Sequence, residues 1–318
     1  MSKQAKIFID GGAGTTGLEI RERLAGRADL SLMVLPEAVR KDAGARKAAL
    51  NGADVVILCL PDEAAREAVR LINNPATRVI DASSAHRVAG GWTYGFAELE
   101  PDGYARIAAA RLVSNPGCWA TGFLSIVRPL VRAGLVPADF PVTANGVSGY
   151  SGGGKARIAE FEDPKAADYS QTVSRIYGLN LEHKHIPEMQ THSGLAHPPL
   201  FEPSIGRFYR GMLVEVPLQL WALPDKPAPR DIHAALARAY QGRPLVKVAS
   251  LEDAAAAKTL DAEILANNNG LTLYVFGNEK AGQARLVAAF DNLGKGAGGA
   301  AVQNLNIMLG LPETTGLL

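Results

Sequence analysis

The sequence predicts an α/β protein: a Rossmann-like, doubly wound parallel sheet plus an α+β second domain with a mainly antiparallel sheet. Three observations predict it. Short, continuously apolar runs rich in β-formers alternate with helical patterns from the start of the chain, as expected of parallel strands buried on both faces. A glycine-rich turn stands where the first strand meets the first helix. Beyond residue 132 the runs become strand-like and lose their regular intervening helices.

In order, residues 6–10 read as a strand, 11–17 as the glycine turn and 18–24 as a helix. Strands follow at 30–35, 54–60 and 78–81, with a helix over 63–72. After a strand at 112–114, Asn115-Pro116-Gly117 breaks the chain before a helix over 118–132, bounded by Pro137. The runs 207–220, 271–276 and 284–290 read as strands, and the first is long enough to suggest an antiparallel sheet. Residues 296–309 read as a helix that returns to the first domain. The dinucleotide-binding domain is therefore expected at 1–117, completed by 296–318, with a catalytic, substrate and oligomerisation domain at 118–295 between them. Residues 151–206, dense in Pro, Gly and His, are the least legible.

Composition excludes several classes of function. With 33 Lys+Arg against 32 Asp+Glu the net charge is +1, which argues against a nucleic-acid binder driven by phosphate neutralisation. At 47% hydrophobic and 20% charged residues the chain is too apolar to be disordered. No run approaches the ~18–20 apolar residues of a membrane span. The apolar stretch 7–9 is too short for an export signal, so the expectation is a cytoplasmic protein with reduced thiols at Cys59 and Cys118.

Gly12-Ala13-Gly14-Thr15-Thr16-Gly17, preceded by Gly11, matches G-x-G-x-x-G between a strand and a helix. Glycines permit a tight turn and close approach to a pyrophosphate, and the helix start offers unpaired N–H groups. The type of cofactor is read about 20 residues further on, at the end of the second strand. There Glu37 suits a ribose hydroxyl, while Arg40 and Lys41 suit a 2′-phosphate; the reading leans to NADP.

Cys59, inside a run of apolar residues, reads as a core thiol. Cys118 follows Pro-Gly at a helix start, where the helix end stabilises a thiolate and makes it a candidate nucleophile. His183 and His185 lie on one side of an extended segment. With Glu188 they suggest a metal site, but the spacing matches no common zinc pattern, so no metal is expected and a base for the thiol explains one histidine better. His86, His192, His197 and His233 read as surface or structural residues. Residues 149–155 imitate both G-x-S-x-G and a P-loop. The first lacks a convincing following helix, and in the second Ala156 replaces the Mg²⁺-binding hydroxyl. What remains is an amide-rich loop with Lys155 and Arg157, suited to an anion.

Together, Gly11–Gly17, Asp81-Ala82-Ser83-Ser84-Ala85-His86-Arg87, the 114–122 run around Cys118, the 148–155 loop, His183-Lys184-His185-Ile186-Pro187-Glu188 and Asp291-Asn292-Leu293-Gly294-Lys295-Gly296-Ala297 resemble the shorter form of the N-acetyl-γ-glutamyl-phosphate reductase family, relatives of aspartate-semialdehyde dehydrogenase. The resemblance implies NADPH-dependent reduction of an acyl phosphate to N-acetylglutamate semialdehyde in arginine biosynthesis, by a homo-oligomer (dimer or tetramer). It implies Cys118 as nucleophile and His185 as acid/base. His183, Arg87, Ser148, Ser151 and Lys155 would contact substrate, and Ser83, Ser84 and Asn292 would join Gly11, Gly12, Gly14, Thr15, Thr16, Gly17, Arg40 and Lys41 at the cofactor. In longer members the basic residue of the 149–155 loop is commonly arginine, a departure at Lys155. In the implied chemistry Cys118 forms a thioester, hydride reduces it, and His185 takes the thiol proton and later protonates the oxyanion. A related dehydrogenase acting on aspartyl phosphate and a non-catalytic NADP sensor are the alternatives.

Overall fold

A computed structural model describes residues 4–36, 38–39 and 42–317. Glu37, Arg40 and Lys41, the candidates for choosing between NAD and NADP, lie outside the described residues. The chain forms two compact units, one running up to Pro116 and resumed from Ala297, the other spanning Gly117–Gly296.

The first unit runs β1 (Ala5–Asp10), α1 (Thr15–Leu24), β2 (Leu30–Met33), α2 (Ala43–Gly52), β3 (Val55–Leu58), α3 (Asp62–Leu71), β4 (Arg78–Asp81), β5 (Thr93–Tyr94), α4 (Gly103–Ala109) and β6 (Leu112–Ser114). Its sheet is ordered β2-β1-β3-β4-β6-β5, and every pairing is parallel. The chain leaves β1 to one side for β2 and returns on the other for β3, which makes the carboxyl ends of β1 and β3 the topological switch point. All four residues of β3 are buried, as a central strand covered on both faces requires. β2 and β3 end two residues earlier than their apolar runs suggest. Pro36 and Pro61, which lack N–H groups, follow each run, and Pro61 serves as the N-cap of α3.

The second unit opens with α5 (Cys118–Arg132), followed by β7 (Thr143–Gly149), α6 (Gly154–Glu162), β8 (Ser174–Ile176), α7 (Ile186–Ser193), β9 (Leu200–Gly206), β10 (Met212–Gln219), α8 (Pro229–Ala239), β11 (Val246–Val248), α9 (Leu251–Ala256), β12 (Leu271–Asn278) and β13 (Gln283–Phe290). Its sheet, β11-β12-β13-β10-β7-β9-β8, is mixed and mainly antiparallel, with β11·β12 and β7·β9 the parallel pairs. α5 lies against β10 and β13, so close that a Cβ on Gly122 would come within 2.5 Å of Val214. Its buried hydroxyls turn back on the helix: Thr121 donates to the Gly117 carbonyl and Ser125 to that of Gly122.

Three expectations are corrected here. The strand expected over 207–220 is broken: residues 207–211 form a turn, and Gly211 at φ +115° packs where a side chain would strike the Ala262 carbonyl. A helix does follow the 149–153 glycines, namely α6, anchored by buried Phe161 and by Glu160, which pairs with Arg157 and Arg175. The final helix, α10 (Gly299–Met308), starts three residues later than expected, after a wide π-type turn at Gly294–Gly298.

All ten residues of α10 are buried in the first unit, including three amides. Gln303 donates to Glu98 and Glu313, Asn304 to the Gly95 carbonyl and to Asn115 Oδ1, and Asn306 to the Glu313 and Thr315 carbonyls. Unbonded buried amides are costly, and although Asn304 Oδ1 has no hydrogen-bond partner among the described residues, the donated bonds fix the helix in one rotation.

Candidate active site

The glycine turn between β1 and α1 has the geometry that a dinucleotide pyrophosphate needs. Gly11 sits at φ +84°, where a Cβ would also run into the Cys59 carbonyl. A Cβ on Gly17 would lie 2.6 Å from the Gly11 carbonyl oxygen, so α1 meets the turn only through glycine. Gly14 is the N-cap of α1 and offers no side chain, which leaves the first-turn N–H groups to a ligand. Thr15 Oγ1 is buried and, among the described residues, has no hydrogen-bond partner. Beside the turn lies a cavity of about 750 Å³ lined by Gly11, Gly12, Ala13, Leu35, Pro36 and residues of α1, α2 and α3. These features fit a bound dinucleotide.

At the ends of β4 and β6 a polar hub supports this unit. Asp81 is fully buried and accepts from Ser83 N (2.9 Å), Ser83 Oγ (2.7 Å) and His86 Nδ1 (2.6 Å), while His86 stacks on Trp92. Ser84 donates through both N and Oγ to Asp62. Arg87, also buried, donates to the carbonyls of Asn115 and Ala82. The structure thus engages Ser83, Ser84 and Arg87 within their own unit. Cys59 borders the hub, and burial together with the Asp81 and Asp10 charges pushes its thiol up to about 12.

In the second unit Cys118 is the first residue of α5 and is partly exposed. The preceding N–H, that of the N-cap Gly117, donates to Glu188 Oε1 at 2.8 Å. Glu188 is 1% exposed and sits in the first turn of α7, whose N-cap is His185. This bond joins the starts of two packed helices and brings Cys118 and His185 into one neighbourhood. On the other side of Cys118, a Cβ on Gly296 would come within 2.9 Å of the cysteine Cβ, so the π-type turn closes against it.

His185 is buried, and its backbone N–H donates to His183 Nδ1 at 3.2 Å, with the two rings 4.8 Å apart edge to face. His183 also packs on Phe201 and Tyr177. Tyr177, which the sequence analysis passed over, accepts from Trp119 Nε1 at 2.8 Å. Burial, and then the negative charge of Cys118, push its hydroxyl up, and the Trp119 bond and the Arg157 charge oppose this. The charges of Cys118 and Arg157 therefore both reach Tyr177. Lys155 is exposed in the first turn of α6, whereas Arg157 is only half-exposed.

The remaining candidates are built into this unit. Ser151 is buried beneath the 150–153 turn, where it accepts from Asn292 Nδ2 at 3.0 Å. A hydrolase nucleophile stands exposed at its turn, and Ser151 does not. Ser148 is buried and donates to the Gly149 carbonyl. Asn292, expected at the cofactor, has both ends of its amide engaged within this unit, accepting from Gly211 N and donating to Ser151. Among the described residues, no three of His, Cys, Asp or Glu converge as metal ligands.

Comparison with known proteins places this arrangement. Residues 33–107 match the family model for the semialdehyde dehydrogenase NAD binding domain, and residues 118–292 match that for the semialdehyde dehydrogenase dimerisation domain. N-acetyl-gamma-glutamyl-phosphate reductase 2 of Nostoc sp. is 52% identical over 98% of this chain and 99% of its own. N-acetyl-gamma-glutamyl-phosphate reductase of Brucella ovis is 54% identical over 96% and 99%. Among solved structures, aspartate semialdehyde dehydrogenase II of Vibrio cholerae shares the fold with a TM-score of 0.70 at 14% identity, covering 97% of this chain and 99% of that one. A probable aspartate-semialdehyde dehydrogenase of Pseudomonas aeruginosa gives a TM-score of 0.72 at 16% identity, covering 96% and 99%. A glycine turn made for a dinucleotide, a cysteine at a helix start and full-length relatives of one kind lead to a single conclusion: the chain belongs to the N-acetyl-gamma-glutamyl-phosphate reductase family of semialdehyde dehydrogenase-type proteins.

Proposed function

We propose that the protein reduces N-acetyl-γ-glutamyl phosphate to N-acetylglutamate 5-semialdehyde and phosphate with NADPH, in arginine biosynthesis. The observation that carries the chemistry is Cys118 at the start of α5, with His185 at the start of the adjoining α7. His185 takes the Cys118 proton, and the thiolate attacks the acyl carbonyl. The C–S bond forms as the C–O bond to phosphate breaks, leaving a thioester on Cys118. The nicotinamide, when bound, supplies the hydride. The resulting hemithioacetal oxyanion faces first-turn N–H groups of α5, which have no intrahelical partners. Its collapse expels the aldehyde and returns the thiolate, which His185 reprotonates.

Gly11, Gly12, Gly14, Thr15, Thr16 and Gly17 hold the cofactor. The basic side chains of this loop offered to a substrate anion are Lys155, exposed in the first turn of α6, and Arg157, which also pairs with Glu160. His183 backs His185 and lines the substrate side. We assign Ser148, Ser151 and Asn292 to supporting the loop, and Arg87 to fixing Asn115.

The active species is a homodimer formed through the second unit, in keeping with the family description of residues 118–292. The outer face of its sheet supports this, with a groove of about 870 Å³ that includes Phe140, Phe276 and Trp221, the last 58% exposed. The reading places the protein in the cytoplasm. Both cysteines are thiols rather than halves of a disulfide, and no helix among the described residues is long and apolar enough to cross a membrane.

The test is phosphate-dependent NADP⁺ reduction with N-acetylglutamate semialdehyde, run beside aspartate semialdehyde. Cys118→Ser should abolish turnover, and His185→Asn should slow it by ~10²–10⁴ while NADPH still binds. Near wild-type turnover by Cys118→Ser overturns the mechanism, and preference for the aspartyl substrate overturns the assignment.

A further inference from the structure

The cavity beside the glycine turn carries more information than a dinucleotide site requires. It is bounded on one side by Leu32, Met33, Val34, Leu35 and Pro36 at the end of β2, an apolar wall suited to a flat base. Three charged side chains line it among the described residues: Asp10, Arg21 and Arg46. Arg46, from α2, donates through Nε to Asp10 Oδ2 at 2.7 Å, and both side chains are mostly buried. Its terminal nitrogens are held loosely, 3.5 Å from Glu67 Oε1 and 3.4 Å from the Ala64 carbonyl. Arg21, from α1, lays its aliphatic stem along Gly12, with Cδ 3.2 Å from where a Cβ would stand. The residue is exposed and lines the cavity.

Among the described residues, the carboxylates near this pocket already have partners. A ribose with free hydroxyls is usually held by an acidic residue near the end of the second strand. Asp10 is already the counter-ion of Arg46. Asp42 caps α2 by accepting the Ala45 N–H at 2.7 Å and does not line the cavity. Among the described residues that line the cavity, one carboxylate faces two guanidiniums.

From this juxtaposition we infer that Arg21 and Arg46 form the subsite for the 2′-phosphate of the cofactor's adenosine. Arg21 is the direct contact, reaching over Gly12, and Arg46 is held in place by Asp10 and presents its terminal N–H groups. Guanidinium suits a phosphomonoester because its planar donors pair with two oxygens at once. The inference rests on the NADP reading above and names the residues that enforce it.

The experiment measures dissociation constants of NADPH and NADH by calorimetry, with 2′,5′-ADP and 5′-AMP as fragments, for the wild type, Arg21→Gln and Arg46→Lys. Arg21 is exposed, so its variant should fold; lysine at 46 keeps a cation for Asp10. Arg21→Gln should weaken NADPH and 2′,5′-ADP by about tenfold or more and leave NADH and 5′-AMP within about twofold. Arg46→Lys should shift the same ratio in the same direction by less. A wild type that binds NADH in preference to NADPH overturns the NADP reading itself. A wild type that prefers NADPH, with Arg21→Gln keeping that preference or weakening both cofactors equally, overturns this inference alone.

Discussion

Glu188, buried in the first turn of α7, accepts the N–H of Gly117 one residue before Cys118. The bond fixes how α5 begins and so where the sulfur points. Removing the acceptor strands a buried N–H, which costs about 1–3 kcal/mol. Glu188→Ala should lose that much stability in urea and should alkylate more slowly at Cys118. Glu188→Gln, which retains an acceptor oxygen, should recover most of both. Unchanged alkylation in Glu188→Ala would show that the bond does not position the cysteine.

Gly296 tests the opposite wall. An added methyl would sit 2.9 Å from the Cys118 Cβ and 3.1 Å from Phe290. Neither neighbour is the end of a flexible chain, so Gly296→Ala should cost about 1–3 kcal/mol by overpacking. Iodoacetamide modification of Cys118 should slow with it. A variant with wild-type melting and alkylation rate would mean that the π-type turn relaxes freely.

The two thiols should separate by pH. The folded state keeps Cys59 protonated to about 12, whereas an unfolded thiol ionises near 9.0. Above pH 9 the unfolded chain therefore binds fewer protons than the native one, and this thiol's contribution to stability is lost as pH rises toward 12. Wild type should lose stability relative to Cys59→Ser between pH 9 and 10.5, by at most about 1.4 kcal/mol per pH unit. At pH 8 one thiol should react quickly, and Cys118→Ser should remove it. A second fast thiol in that variant would contradict the assignment of Cys59.

Asn304 ties α10 to the sheet by donating to the Gly95 carbonyl at 2.9 Å and to Asn115 Oδ1 at 3.0 Å. Asn304→Ala leaves both acceptors buried, and a loss of about 2–4 kcal/mol is expected from urea titration. A change below about 0.5 kcal/mol would mean that the network repacks around the gap.

Much of this was legible because local signals agreed with the global fold. β4, β6 and α5 begin and end where the sequence places them, since apolar runs there stop at Pro, Gly or polar residues. β9 was not legible, because Pro199 and Pro203 argue against a strand, yet it pairs with β7 and β8 on its two sides. α6 was hidden by the glycines that open it. Within the candidate site, Cys118 and His185 announced themselves by position, but Tyr177 did not. Its importance comes from Trp119, Cys118 and Arg157, which are distant in sequence and meet only through folding. Arg21 and Arg46 likewise reach the cavity beside the glycine turn from α1 and α2, which no local pattern in the sequence marks.

The buried helix α10 bears on how the protein is made. Its three amides complete the core of the unit that contains β1, but the ribosome reaches it only after translating Gly117–Gly296. At about 5–20 residues per second, β1 to β6 wait roughly ten to forty seconds with that face uncovered. The intervening unit is contiguous in sequence and is free to fold first during that wait. The nascent cofactor domain is therefore the part most exposed to chaperones and to aggregation until its last helix is delivered.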